Sequence, residues 1–298
     1  MIDDMLICYN WMPAIADCSI DHPEQFYTNH GISRLHDHEM IHPEAIGVMK
    51  DNFLIFVKTD YIVDGSFQTH WLNRIQVPFS LITGVSSYQV GRDGANPSSY
   101  KQILENPFLK NWFSTNPPEE EHEKIHALPI GFAEPSREES EQGMLKRLQK
   151  EAIPFEDKKN IIFIPWHNKD TNTIRYQLME KIKNNLKDSP HEEQTEKQQI
   201  EPYLRAMNEN KFIICFEGSG NDTHRFYECL LMGCVPIIKE STVKRLFDEY
   251  DLPAIFIEDW DEVDENFFDD INNREYDFSN VENFLKVQTH VDKIKGLL

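Results

Sequence analysis

Six short apolar runs, rich in Ile, Val and Phe, recur along the chain between longer amphipathic segments: Leu54 to Val57, Phe79 to Ile82, Ile161 to Ile164, Phe212 to Cys215, Val235 to Ile238 and Ala254 to Ile257. A strand that is apolar on both faces must be covered on both, and the helix-length spacers supply that cover. The alternation therefore predicts an α/β protein with parallel sheets. A chain of 298 residues, 40% of them hydrophobic, can fill two medium cores. After "HALPIGF" (126–132) the pattern changes to Glu134-Pro135-Ser136 and then to charged, helix-prone residues up to Ala152. A new strand follows near Asn160, so the boundary is expected near residue 155, giving domains 1–155 and 156–298. The stretch Lys187 to Lys197 (KDSPHEEQTEK) reads as a mobile polar loop. In the segment Ser279 to Leu298, Val281, Phe284, Leu285, Val287, Val291, Ile294 and Leu297 fall at mostly helical spacing. They predict a terminal helix with one packed face, which has the option of crossing back to the first domain.

Charge narrows the partners. With 51 acidic against 30 basic residues the formal net charge is −21, a field that repels nucleic acid and anionic membranes. A phosphate ligand must then be held by a local positive pocket. The five cysteines are odd in number and form no CxxC pair, which reads as buried thiols in a reducing compartment. The start MIDDMLICYNW has no basic n-region, and no window reaches the roughly 18 apolar residues of a spanning helix. A soluble, cytoplasmic protein without an integral membrane segment is expected; oligomeric state is not legible.

The densest chemical signal is "CFEGSGNDTHRFYECLLMGCVPIIKE" (215–240). Phe212 to Cys215 reads as a buried strand and Gly218-Ser219-Gly220 as a turn. Asp222 or Thr223 reads as the N-cap of a helix running to about Met232. Glycines let backbone approach a ligand closely, and the unpaired N–H groups of a helix start attract a diphosphate. Arg225, in the first turn, can add a bidentate contact, and Glu228 can accept both hydroxyls of a ribose. The plain alternative is an ordinary turn beside a surface ion pair of Arg225 and Glu228. No Gly-Lys-Ser/Thr follows, and the fingerprint GxGxxG is incomplete, which disfavours a dinucleotide redox enzyme.

Gly218, Gly220, Asp222-Thr223-His224-Arg225, Glu228 and Gly233-Cys234-Val235-Pro236-Ile237-Ile238-Lys239 together resemble the signature of exostosin-like glycosyltransferases, glycosyltransferase family 47. "NKDTNTIRYQLMEK" (168–181), "LPIGF" (128–132) and "LPAIFIEDWDEV" (252–263) add weaker likeness. The resemblance implies a GT-B fold, two Rossmann-like domains facing a cleft. It further implies inverting, metal-independent transfer, usually from a UDP-sugar donor to a glycan acceptor, with no cofactor beyond the donor; xylose is one sugar it allows. Carried over residue by residue, Gly218, Ser219 and Gly220 would line the diphosphate, and Thr223, His224 and Arg225 would contact phosphate. Glu228 would hold the ribose, and Arg175 would be a second cation for the leaving diphosphate. Glu217 departs from the pattern, since relatives often place an Arg there. Without a signal or anchor, a bacterial enzyme or one working in a virus-infected host cell fits better than a Golgi-resident relative.

Inverting transfer needs a base. Asp64 and Asp93 rank together as candidates, with Asp60 below them, all in loops after first-domain strands. Asp64 is equally readable as a helix cap. The family's acidic residue after "LITG" is replaced here by Val85-Ser86-Ser87. The run "LHDHEMIH" (35–42) places His38 and His42 four apart but lacks HExxH, and "DWD" (259–261) reads as a loop or helix cap, so no metal site is expected. Two rival functions stay open: a GDP-fucose-type fucosyltransferase, and a non-catalytic module that binds sugar nucleotides or glycans.

Overall fold

Five parallel strands, β1 (Cys18–Ile20), β2 (Phe53–Lys58), β3 (Phe79–Gly84), β4 (Leu109–Ser114) and β5 (Ile125–Ala127), pair in the order β1-β2-β3-β4-β5. This computed structural model describes residues 5–8, 11–20, 52–94, 96–133 and 139–298. The register sets Lys58 beside Gly84, Thr83 beside Ser114 and Ser114 beside Ala127, so the carboxyl ends of β2 to β5 lie level. Phe53, Ile55, Val57, Leu81, Ile103 and Trp112 fill the core on this sheet. Fully burying each such side chain contributes about 1.5–3 kcal/mol. Near the carboxyl edge a polar chain runs through the core: Trp112 Nε1 donates to Thr83 Oγ1 at 2.9 Å, which donates to Ser114 Oγ at 2.9 Å.

The sequence breaks its terminal helix at Lys286. Val281–Phe284 is one short helix and Val287–Leu297 another. Lys286 between them is extended and bridges Leu6, and the Val287 N–H donates to the Met5 carbonyl at 2.9 Å. Helical spacing alone did not expose that interruption. The second helix belongs to the first sheet's unit: Lys293 Nζ donates to the Ala127 carbonyl at 3.3 Å and His290 stacks on Trp11. That unit comprises residues 1–139, 218–223 and 286–298.

The second unit, residues 140–217 and 224–285, carries β6 (Lys159–Ile164), β7 (His191–Glu193), β8 (Asn210–Cys215), β9 (Val235–Lys239) and β10 (Ile255–Ile257). All pairs are parallel, in the order β10-β9-β8-β6-β7. Strand β7 corrects the expected mobile loop at 187–197: it is a three-residue edge strand whose polar "HEE" carries no apolar alternation, paired from His191 to Glu193 with Ile162 to Ile164 of β6. The residues from 140 onward join this unit, ahead of the boundary expected near 155. The helix Glu139–Lys150 is tied in through Arg147, which pairs with Glu201 at 3.0 Å. The Cys215 and Cys229 thiols meet at 3.4 Å beneath β8, and Cys8, Cys215, Cys229 and Cys234 are buried and unbridged.

Candidate functional site

Counting from β6, the second sheet has strand order 2-1-3-4-5, with β7 on one side of β6 and β8 on the other. Successive connections leave β6 and β8 in opposite directions, and ligands of such open sheets bind outside the carboxyl ends of those two strands. The chain places its cations there. Beyond β6, Asn172 caps the helix Thr173–Asn185, its Oδ1 accepting from the Arg175 N–H at 3.2 Å, so Arg175 falls in the first turn. Asn168 Oδ1 accepts from the Asp170 N–H at 2.8 Å, which is the local work of the Asn/Thr-rich stretch. Beyond β8, Arg225 is the second residue of the helix His224–Leu231.

Arg175 Nε donates to the Glu217 carbonyl at 2.6 Å. Arg225 Nε donates to the Tyr203 hydroxyl at 2.9 Å, and its NH1 lies 3.3 Å from His167 Nε2. His167 is buried and meets Phe216 edge-on at 5.2 Å, and Phe216 meets the buried Trp260 edge-on at 4.8 Å. Trp260 Nε1 donates to Glu217 Oε2 at 3.3 Å, so the carboxylate that departs from the family pattern is held by an indole.

The electrostatics follow from crowding. Burial, then the charges of Arg225 and Arg175, push the His167 imidazole down to about 3. Burial and the neighbouring Arg225 also lower Arg175, with Glu217 opposing. Glu228, beside the Tyr203 hydroxyl, is pushed up by burial while Arg225 pulls it down. Two guanidiniums that repel each other beside a neutral imidazole form a site that an anion relieves.

The glycine loop has a different setting. Residues 218–223 group with the first unit, whose Asn116, Ile130 and Gln89 they meet. The Gly218 N–H donates to the Gly220 carbonyl at 3.0 Å, and the Asp222 N–H donates to Asn116 Oδ1 at 3.0 Å. Asp222 Oδ2 accepts from the buried Ile130 N–H at 3.0 Å, and Asn221 Nδ2 donates to Gln89 Oε1 at 2.8 Å. Gly220 is small for packing: a Cβ there would lie 2.8 Å from the Ser87 carbonyl oxygen. Ser219 is exposed, Thr223 keeps a buried hydroxyl with no partner among the described residues, and His224 opens the helix. Of the residues expected at the pocket, Arg175, Arg225 and Glu228 gather in the second unit.

Asp64 and Asp93 both make local bonds. Asp64 Oδ1 accepts from the Ser66 N–H at 2.8 Å, and Asp93 Oδ2 accepts from the Gln89 N–H at 2.7 Å and pairs with Arg92 at 3.2 Å. Asp60 differs: Oδ1 lies 3.7 Å from Lys58 Nζ, and Oδ2 is buried with no hydrogen-bond partner among the described residues. Nearby, Val85 takes a left-handed φ of 56° just past β3, strain that a β-branched residue holds only where its surroundings impose it.

In "DWD", Asp259 caps the short helix Trp260–Glu262 in a reciprocal capping box, and Asp261 pairs with Lys181. The histidines of "LHDHEMIH" lie outside the described residues. Sequence reasoning missed His167 and Tyr203. His167 carried a signal, as a polar residue just past a buried strand; Tyr203, on the helix Ile200–Asn208, carried none.

A family model of the exostosin GT47 domain matches residues 88–263, more than half of the chain. No curated protein matches the chain significantly.

Proposed function

Because the chain belongs to the exostosin GT47 family and is a glycosyltransferase, we propose that its second unit binds the diphosphate of a nucleotide-sugar donor, a UDP-sugar, between Arg175 and Arg225. The two parallel five-stranded sheets are consistent with a GT-B-like two-domain fold. One observation carries the reading: Arg175 and Arg225 each stand in the first turn of the helix that follows β6 or β8, at the carboxyl ends of those two strands. Glu228, three residues beyond Arg225, takes the ribose hydroxyls. During transfer the arginines would stabilise the charge that develops on the leaving nucleotide, which lets the step run without a metal. An acceptor hydroxyl of a glycan attacks the anomeric carbon from the opposite face and inverts it. Its proton passes to a carboxylate base. We assign that role to Asp60 ahead of Asp64 and Asp93, whose oxygens already serve the backbone or Arg92. Xylose is one candidate sugar.

Among the described residues no helix is long and apolar enough to cross a membrane. The net charge of −21 favours a glycan over a nucleic acid as acceptor.

The test is thermal-shift and calorimetric titration of UDP, GDP, UDP-xylose, UDP-glucose, UDP-galactose and UDP-glucuronate, with and without EDTA, on wild type and Arg225→Ala. Stabilisation by one UDP-sugar, insensitive to EDTA and absent in Arg225→Ala, is expected. Stabilisation by GDP-sugars alone would turn the assignment to a fucosyltransferase-type donor, and binding without turnover on any glycan would favour a binding module.

A further inference from the structure

The Arg225–His167 contact fixes where the imidazole proton sits. A guanidinium has donors only, so at 3.3 Å His167 Nε2 accepts from Arg225 NH1 and the ring hydrogen is on Nδ1. His167 is 6% exposed, and Nδ1 has no hydrogen-bond partner among the described residues. Burial of a polar N–H without a partner costs about 1–3 kcal/mol, so such a donor is retained where something else takes the bond. His167 follows β6 at the strand's carboxyl end, beside Arg225 and Arg175. Phe216 packs against the ring edge-on and restrains its rotation.

We propose that His167 is a ligand of the donor diphosphate, its Nδ1–H donating to a phosphate oxygen in the tautomer that Arg225 imposes. This rests on the donor-site reading above. Burial and the flanking arginines keep the ring neutral, so it offers one directed N–H across the ordinary pH range. The arginines supply charge and His167 supplies direction, which distinguishes a diphosphate from a ligand that satisfies the cations alone.

Calorimetry tests this with UDP, GDP, inorganic diphosphate and uridine on wild type, Arg225→Ala, His167→Gln and His167→Asn. Gln keeps an acceptor near the Nε2 position and lacks a donor at Nδ1; Asn places an amide N–H near Nδ1. Whichever nucleotide binds the wild type should bind His167→Gln about tenfold more weakly, a loss of one hydrogen bond to a charged group. His167→Asn should recover most of that affinity, and uridine should not distinguish the variants. On wild type alone, 15N-histidine spectra should show the Nδ1–H tautomer in the free protein, with its proton moving downfield on nucleotide addition. Full affinity in His167→Gln alongside weakened binding in Arg225→Ala overturns the His167 assignment and leaves the donor site standing. An unmoved Nδ1–H resonance on saturation with nucleotide does the same. Absence of binding by UDP and GDP to wild type overturns both readings.

Discussion

Tyr203 holds Arg225 in two ways at once: its hydroxyl accepts from Nε at 2.9 Å, and its ring lies 5.9 Å from the guanidinium carbon. Tyr203 thus fixes the Nε edge of Arg225 and leaves the NH1 edge turned to His167.

Tyr203→Phe keeps the ring and removes the oxygen. The expected result is a rise of about tenfold in the UDP Kd, about 1.4 kcal/mol, with at most about 1 kcal/mol lost from folding stability. Titration calorimetry beside urea unfolding separates the two. Unchanged affinity with lowered stability would show that Tyr203 only supports the fold.

His167 makes stability depend on pH in a stated direction. Its ring takes a proton near 6.5 when unfolded but only at about 3 when folded. The unfolded state therefore binds more protons between these values, so this contribution is fully present above about 6.5 and is lost as pH falls toward 3. Between pH 7 and 5 the ligand-free wild type should lose about 2 kcal/mol more than His167→Gln, at up to one proton per molecule. Parallel urea titrations of the two proteins at each pH would reveal it, and identical pH slopes would contradict it.

Asp222 and Gly220 hold the loop into the first unit. Asp222→Ala strands the buried Ile130 N–H, a loss of about 1–3 kcal/mol. Gly220→Ala drives a methyl to 2.8 Å from the Ser87 carbonyl oxygen, and the backbone shift needed to relieve it should cost about 1–3 kcal/mol. Ser219→Ala, at an exposed position of the same loop, should change stability by less than about 0.5 kcal/mol. Unfolding midpoints of the three variants decide this.

Asp60→Asn should lower turnover by about 10²–10⁴ while leaving the UDP Kd within about twofold. Asp64→Asn and Asp93→Asn should retain most activity, because those carboxylates hold the Ser66 and Gln89 N–H groups. Radiolabelled sugar transfer measured on all three would rank them, and loss of turnover confined to Asp93→Asn would move the base there.

Alternation of apolar runs with helical spacers was enough to read the α/β class, six of the strands and the helix that carries Arg225 and Glu228, because each of these is written in side chains that follow one another. Strands β1, β4, β5 and β7 escaped. Lys110 and Asn111 interrupt β4, and β5 and β7 are three-residue edges whose pairing comes from neighbours. The site divides the same way. Arg225 announced itself beside a glycine turn, whereas its partners His167 and Tyr203 stand 58 and 22 residues away. The glycine loop shows the limit most plainly. Local sequence marks a turn at Gly218-Ser219-Gly220, but Asn116, Gln89 and Ile130 determine where its hydrogen bonds go. Periodicity and turn chemistry act over a few residues and are legible along the chain. Hydrogen-bond partners, proton positions and close backbone approaches are decided by distance in space, and only the tertiary structure sets those.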